Sequence, residues 1–254
     1  MSAPPVAELA AGPGWRAVEC ISDLHLQASE PATFEAWREY MASAEADAIV
    51  ILGDLFEAWP GDDVARNPGF EAGCTEVLRA TASRRPVFFL HGNRDFLVGE
   101  AFAQDTGVRL LQDPTVLALA GHRWLLTHGD ALCLGDTEYL KFRAMVRAPA
   151  WQREFLSQPL AARQQVAQAM RSESDSRKRS GIPYVDVDRD EALAWLAAAD
   201  ADTLVHGHTH RPGDHMLDTS HRRVVLTDWD LAATPPRGEV LRLTADGARR
   251  VPLR

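Results

Sequence analysis

The chain has 254 residues, 46% of them apolar and 25% charged, and a formal charge of −9. That length supports one large core or two small ones, and the acidic balance excludes the broad basic field that general nucleic-acid binding requires. Three scattered cysteines (Cys20, Cys74, Cys133) without a Cys-x-x-Cys pair suggest neither a disulfide framework nor a thiolate zinc site.

Residues 1–14 have no early positive charge, and their apolar part is broken by Pro and Gly. They read as a flexible tail rather than a signal peptide, ahead of a domain over 15–254. Arg16 to Ile21 predicts a short buried strand, and a helix pattern follows from Pro31 to Ser43. Ala48 to Leu52 (AIVIL) is a continuous apolar run, as expected of a strand covered on both faces. Phe70 to Ser83 predicts a helix, and Pro86 to Leu90 another buried strand. Thr115 to Leu119 and His122 to Thr127 predict a hairpin turning at Ala120-Gly121. Residues 131–185 break the strand–helix alternation and read as a helical insertion. After it come a helix at Arg189 to Ala199 and strands at Thr203 to His206, Arg222 to Thr227, Glu239 to Thr244 and Ala248 to Leu253. Asp246-Gly247 is the expected turn of the last hairpin. The pattern predicts an α/β sandwich of two sheets with helices outside. No stretch approaches the ~20 apolar residues of a spanning helix.

Five predicted strands end in similar punctuation: Asp23-Leu24-His25, Gly53-Asp54, Gly92-Asn93, His128-Gly129 and His206-Gly207-His208. Ligands of α/β sheets gather beyond strand ends, so these loops are expected to converge. On an extended backbone, Asp-x-His and His-x-His each put two side chains on one side. Glycine beside a ligand allows sharp turns and close backbone approach. Carboxylate, amide and imidazole together suit Mn²⁺, Zn²⁺ or Fe²⁺ better than Ca²⁺. Seven such groups are too many for one ordinary site and suit two cations sharing a carboxylate, a known clamp for phosphoryl displacement.

The ordered set ISDLHL, LGDLFE, HGNRDF, THGD and HGHTHRP resembles the calcineurin-like metallophosphoesterases over residues 18–212. The resemblance implies the four-layer metallophosphoesterase sandwich, with one divalent ion, of Mn²⁺ by family habit, on Asp23, His25 and His208. It implies a second on Asn93, His128 and His206, with Asp54 bridging the two and a hydroxide activated by the pair as nucleophile. Asp54, Asn93, Arg94 and His128 are the expected catalytic set. Arg94 stands where many members carry a histidine that protonates the leaving group. An arginine cannot act as an acid but can bind phosphate oxygens in a bidentate manner, which suits a phosphate leaving group. Simple pairing of Arg94 with Asp95 is the alternative.

Three longer stretches, ILGDLFEAWPGDD (51–63), FLHGNRDFLVGEAF (89–102) and LTHGDALCLGDTEYLKFRAMVR (126–147), are similar to the UDP-2,3-diacylglucosamine pyrophosphatases of lipid A synthesis. That family hydrolyses the diphosphate of a UDP-linked diacyl sugar to UMP and the sugar 1-phosphate. It implies substrate contacts from Asn93, Arg94, Asp136, Ser174, Lys178 and His206, with Arg177 and Arg179 as alternatives to Lys178. It also implies peripheral attachment to the cytoplasmic face of a bacterial inner membrane, without nucleic acid or an obligate protein partner. The insertion would cap the site and hold acyl chains. Residues 136–180 carry nine Lys or Arg against five Asp or Glu, interleaved with apolar residues, a composition suited to anionic lipid. Plain packing of the cap onto the core is the other reading, and Trp59 is expected to pack rather than stack on substrate. Another dinuclear-metal phosphodiesterase or nucleotide pyrophosphatase is the competing activity, and a scaffold that has lost its metals is a rival of another class.

Overall fold

The structure is a computed structural model that describes residues 4–179 and 185–253, with side chains over 4–172 and 185–253. The chain runs through β1 (Ala7–Ala10), β2 (Ala17–Ile21), α1 (Pro31–Ser43), β3 (Ala48–Ile51), α2 (Phe70–Ala82), β4 (Val87–Leu90) and α3 (Glu100–Thr106). Next come β5 (Arg109–Leu111), β6 (Thr115–Leu119), β7 (His122–Leu126), α4 (Thr137–Val146), α5 (Pro149–Leu156) and α6 (Leu160–Arg179). Last are α7 (Arg189–Ala199), β8 (Thr203–His206), β9 (Gly213–Met216), β10 (Arg222–Val225), β11 (Glu239–Thr244) and β12 (Gly247–Pro252).

Two mixed six-stranded sheets result, in the orders β1-β6-β7-β8-β10-β9 and β12-β11-β2-β3-β4-β5. Their strands alternate between two environments, which is why AIVIL carries no polar face. Ala48, Val50 and Leu52 point between the sheets with Leu117, Trp124, Leu126 and Val205. Ile49 and Ile51 point outward beneath Trp37 and Met41 of α1 and Leu78 of α2. On the other sheet, Val116, Leu125 and Leu204 pack outward on Trp195 and Leu196 of α7. The layers are therefore helix, sheet, sheet, helix, the α/β sandwich that the alternation predicts. All three cysteines are buried and free.

Four short elements depart from the sequence reading. Residues 7–10, expected in a flexible tail, form β1, which pairs in parallel with Thr115–Ala118 at a sheet edge. Leu9 packs against the inter-sheet core and Val6 against the α7 cluster, and this anchors the segment. β5 has three residues, and β9 is largely exposed and paired on one side only, so neither has a strong apolar pattern. α3 is seven residues long and closes on Gly107 in the left-handed conformation (φ 77°). In the final hairpin Thr244 pairs with Gly247, so the loop is Ala245-Asp246 and the left-handed glycine opens β12.

The segment after β7 folds as α4, α5 and α6. Among the described residues no helix is long and apolar enough to cross a membrane.

Candidate metal centre

β2, β3, β4, β7 and β8 all deliver their C-terminal loops to one place. The loops are tied by backbone hydrogen bonds: Asp23 N to Gly53 O (3.2 Å), His25 N to Asp54 O (3.0 Å) and Gly207 N to His128 O (3.1 Å). Asp95 is fully buried, and its carboxylate accepts from the amides of Asp54 (3.3 Å), Leu55 (2.7 Å), Phe56 (3.4 Å) and Gly92 (2.9 Å), locking the Asp54 loop to the Asn93 loop. Burial, with the Asp54 charge, pushes this carboxyl up to about 7. Asp95 is thus held by backbone, and the Arg94 guanidinium lies 3.5 Å from Glu57 instead.

An extended backbone does not converge these side chains, contrary to the sequence expectation. Asp23 (φ 55°), His25 (φ 48°), Asp54 (φ 51°), His208 (φ 63°) and His210 (φ 51°) are all left-handed, five of the seven such non-glycine residues among those described. The conformation is strained for side chains, though Asp and His tolerate it better than most, and such outliers concentrate at functional sites. Gly92 is required for a different reason, since a Cβ there would collide with the Asp54 carboxylate.

Two clusters follow. Asp23, His25 and His210 present one ligand atom each within 4.8 Å of one another, and so do Asp23, Asp54 and His128. His210 Nε2 lies 3.2 Å from His25 Nε2 and 3.4 Å from Asp23 Oδ1. Asn93 Oδ1 lies 2.8 Å from His128 Nε2 and 2.7 Å from His208 Nδ1. Asp54 stands between the groups, with Oδ2 3.9 Å from His25 Nε2 and Oδ1 3.7 Å from His128 Nε2.

The donor chemistry fits cations here. His128 Nδ1 donates to the Leu52 carbonyl (2.9 Å), so in a neutral ring Nε2 is a lone pair facing the Asn93 oxygen. Two acceptors stay that close only with a proton or a cation between them. Without a cation, and against burial, Asp54 and Asp23 push the His128 imidazolium up to about 9. Burial lowers His208 to about 3 and His206 to about 4, so both are neutral rings at ordinary pH.

The structure groups the three histidines of the β8 loop differently from the sequence reading. His208 groups with Asn93 and His128 rather than with Asp23 and His25. His210, missed in the sequence reading, takes the place beside Asp23 and His25. His206 is fully buried with Nδ1 2.8 Å from the Gly207 carbonyl, and it belongs to neither cluster. The motif HGHTH offers two His-x-His pairs, and the second, in the left-handed part of the loop, faces the site.

Around the centre, Glu57 Oε2 lies 2.9 Å from His25 Nδ1, and its Oε1 lies 3.1 Å from Arg171 of α6. Although burial raises it, His25 with Arg94 and Arg171 hold this carboxyl below the usual range. The helix α4 is fixed beside His128: Tyr139 Oη and Arg143 Nε donate to buried Asp130 at 2.5 and 2.8 Å, and Arg147 donates to the Gly92 carbonyl at 2.9 Å. Asp136 caps α4, accepting from Tyr139 N at 3.1 Å. Trp59 is buried and stacked on Phe56 with centroids 4.4 Å apart, a packing role. The side chains of Ser174, Lys178, Arg177 and Arg179 lie outside the described ones.

The sequence profile of the calcineurin-like phosphoesterases matches residues 18–212, and the chain belongs to that family. Among curated proteins it is similar to the UDP-2,3-diacylglucosamine hydrolase of Xanthomonas axonopodis pv. citri, 46% identical over 244 residues that cover 90% of this chain and 95% of the relative. The UDP-2,3-diacylglucosamine hydrolase of Bordetella parapertussis is 44% identical, covering 93% of both chains. Among solved structures, vacuolar protein sorting 29 from Cryptosporidium parvum superposes over 91% of this chain at 14% identity with a TM-score of 0.46.

Proposed function

We propose that the protein hydrolyses the pyrophosphate bond of a UDP-2,3-diacylglucosamine, releasing UMP and 2,3-diacylglucosamine 1-phosphate, as a step of lipid A synthesis. The observation that carries the chemistry is Asp54, whose two carboxylate oxygens face His25 on one side and His128 on the other. Asp23, His25 and His210 would hold one divalent cation, and Asn93, His128 and His208 the other, with Asp54 shared. Such a pair, by family habit Mn²⁺, supplies an activated water and neutralises phosphate charge. The substrate follows from the relatives, which match along almost the whole chain and bear that name.

The protein's own groups do the rest. Arg94 donates its backbone amide to Asp54 Oδ1 (2.8 Å), which places its guanidinium at the rim of the centre to bind a diphosphate oxygen. Its permanent charge stabilises a departing phosphate without delivering a proton. Helices α4 to α6 roof the site and keep water from it. They carry Met145, Leu156 and Val166, three of the four large exposed apolar side chains among the described residues. With the basic surplus of the insertion, these suit acyl chains and a peripheral position on an anionic membrane face. Asp136, Ser174 and Lys178 remain proposed substrate contacts on the strength of the family pattern.

The test compares purified, Mn²⁺-loaded protein on UDP-2,3-diacylglucosamine, bis-p-nitrophenyl phosphate and cyclic nucleotides. Preference for the UDP-diacyl sugar, with UMP as product, supports the reading. Far better cleavage of the small diesters sinks it.

A further inference from the structure

Glu57 lies three residues beyond Asp54 in a segment stitched to the Asp23–His25 loop. Leu26 N donates to Leu55 O (2.8 Å), and Glu57 N donates to Leu26 O (3.2 Å). The backbone therefore fixes the carboxylate relative to His25. Its two oxygens face different ways. Oε2 lies 2.9 Å from His25 Nδ1, while Oε1 lies 3.1 Å from Arg171 Nε and 3.5 Å from Arg94. The same segment is gripped again by α6 eight residues earlier: Arg163 donates to Pro60 O and pairs with Asp63 at 2.5 Å. Arg163 and Arg171 are about two turns apart, so they present one face of α6 to residues 57–63.

We infer that Glu57 is a positioning residue that fixes the ring of His25 for its cation and makes that fixation depend on the seating of α6 through Arg171. A carboxylate oxygen 2.9 Å from Nδ1 favours the proton on that nitrogen by its charge, although the pair is not aligned as a hydrogen bond, and this leaves Nε2 as the ligand atom, the orientation the centre needs. Arg171 holds the other oxygen and so restrains the carboxylate's rotation. Lifting α6 off the site would free Glu57 to turn, and His25 with it. Insertion seating and the affinity of one cation, the one on His25, are thereby linked. By reciprocity, filling that site favours the seated α6.

The inference rests on the two-cation reading above, and the experiment separates the two. Apo protein is titrated with Mn²⁺ by calorimetry for wild type, E57Q, R171A and E57Q/R171A, with circular dichroism as the check on folding. Wild type should bind two equivalents; fewer would overturn the two-cation reading, and this inference with it. E57Q, nearly isosteric, should weaken one of the two sites by ~10–100-fold, the scale for outer partners of a ligating histidine, and leave the other within twofold. R171A should weaken the same site less. The double variant should match E57Q, because Arg171 acts only through Glu57. Two wild-type affinities in E57Q would overturn the positioning role. Equal weakening of both sites would do so too, as a general structural loss. Additive losses in the double variant would overturn the coupling to α6.

Discussion

His210→Ala and His206→Ala separate the two ways of pairing ligands from the HGHTH loop. His210 Nε2 stands 3.2 Å from His25 Nε2 and 3.4 Å from Asp23 Oδ1. Neighbouring ligands bound at ~2.1 Å to one ion stand ~3.0–3.4 Å apart, so these separations are those of a shared cation. Losing an outer partner of a ligand costs ~10–100-fold in affinity; losing a ligand itself should cost at least ~100-fold, or about 2.7 kcal/mol. His206 belongs to neither cluster, so His206→Ala should keep both affinities within a few-fold, although removing a buried ring lowers stability. The assay is metal content after dialysis against limiting Mn²⁺, paired with calorimetric titration. His210→Ala should hold one equivalent and His206→Ala two. The reverse result would refute the geometry and restore the pairing of His206 with His208.

Arg94→Ala should retain both cations and lose ~10²-fold in kcat/KM, the scale of one charge-stabilising donor; loss of metal in step with activity would contradict its assigned role. Arg163→Ala should cost about 3 kcal/mol, because Arg163 is nearly fully buried: its removal opens a cavity and leaves the carbonyls of Pro60 and Gln158 without their donor, while the pair with partly exposed Asp63 adds little. The matching fall in Tm, read by calorimetry, is ~6–12 °C for a chain of this size, and a shift under ~1 °C would show that α6 is not anchored there. In the metal-free protein the His128 pKa is raised to about 9 over its ordinary value, by Asp54 and Asp23 against burial. A raised imidazole stabilises the fold fully below its unfolded pKa of ~6.5, and that contribution disappears as pH climbs through 9. The buried neutral rings of His206 and His208 gain stability in the opposite sense only up to about pH 7.5, so denaturant unfolding of apo protein should show stability falling from pH 7.5 to pH 9.5, and a flat or rising profile there would refute a carboxylate-paired imidazolium at that position.

Much of this architecture is legible in the chain because its strands are apolar on both faces. In AIVIL, Val50 and Leu52 serve the inter-sheet core while Ile49 and Ile51 serve the helices, so neither face can be polar. The strand-end loops were legible for the same reason, since each follows such a run and begins with Asp, Asn, Gly or His. β9 is not legible, because an edge strand exposed on most of its length needs no pattern. His210 was missed because HGHTH holds two His-x-His pairs and a period of two does not choose between them; the choice is made by the loop, which turns left-handed at His208 and again at His210. Glu57 and Asp95 look like ordinary surface acids in sequence. What makes each a hub is contact across the chain: with Arg171, 114 positions on, for Glu57, and with the Asp54 loop for Asp95.

The positive φ values and the buried Asp95 explain each other. A left-handed aspartate or histidine costs on the order of 1–3 kcal/mol and persists only where its surroundings over-determine it. The Asp54 loop is over-determined by Asp95, which collects three of its successive amides together with that of Gly92. The Asp23 loop is held by the amides it donates to Gly53 O and Asp54 O, and the His208 turn by its own amide on the Asp23 carboxylate at 3.0 Å. Each strained residue thus leans on the next loop rather than on its own strand. The centre is consequently a cooperative unit, in which the carboxylates and imidazoles stand close enough to repel or to share a proton before any cation arrives. Such a unit is stabilised by the ion it is shaped for, so cation affinity should depend on the contacts between the loops as well as on the ligands themselves.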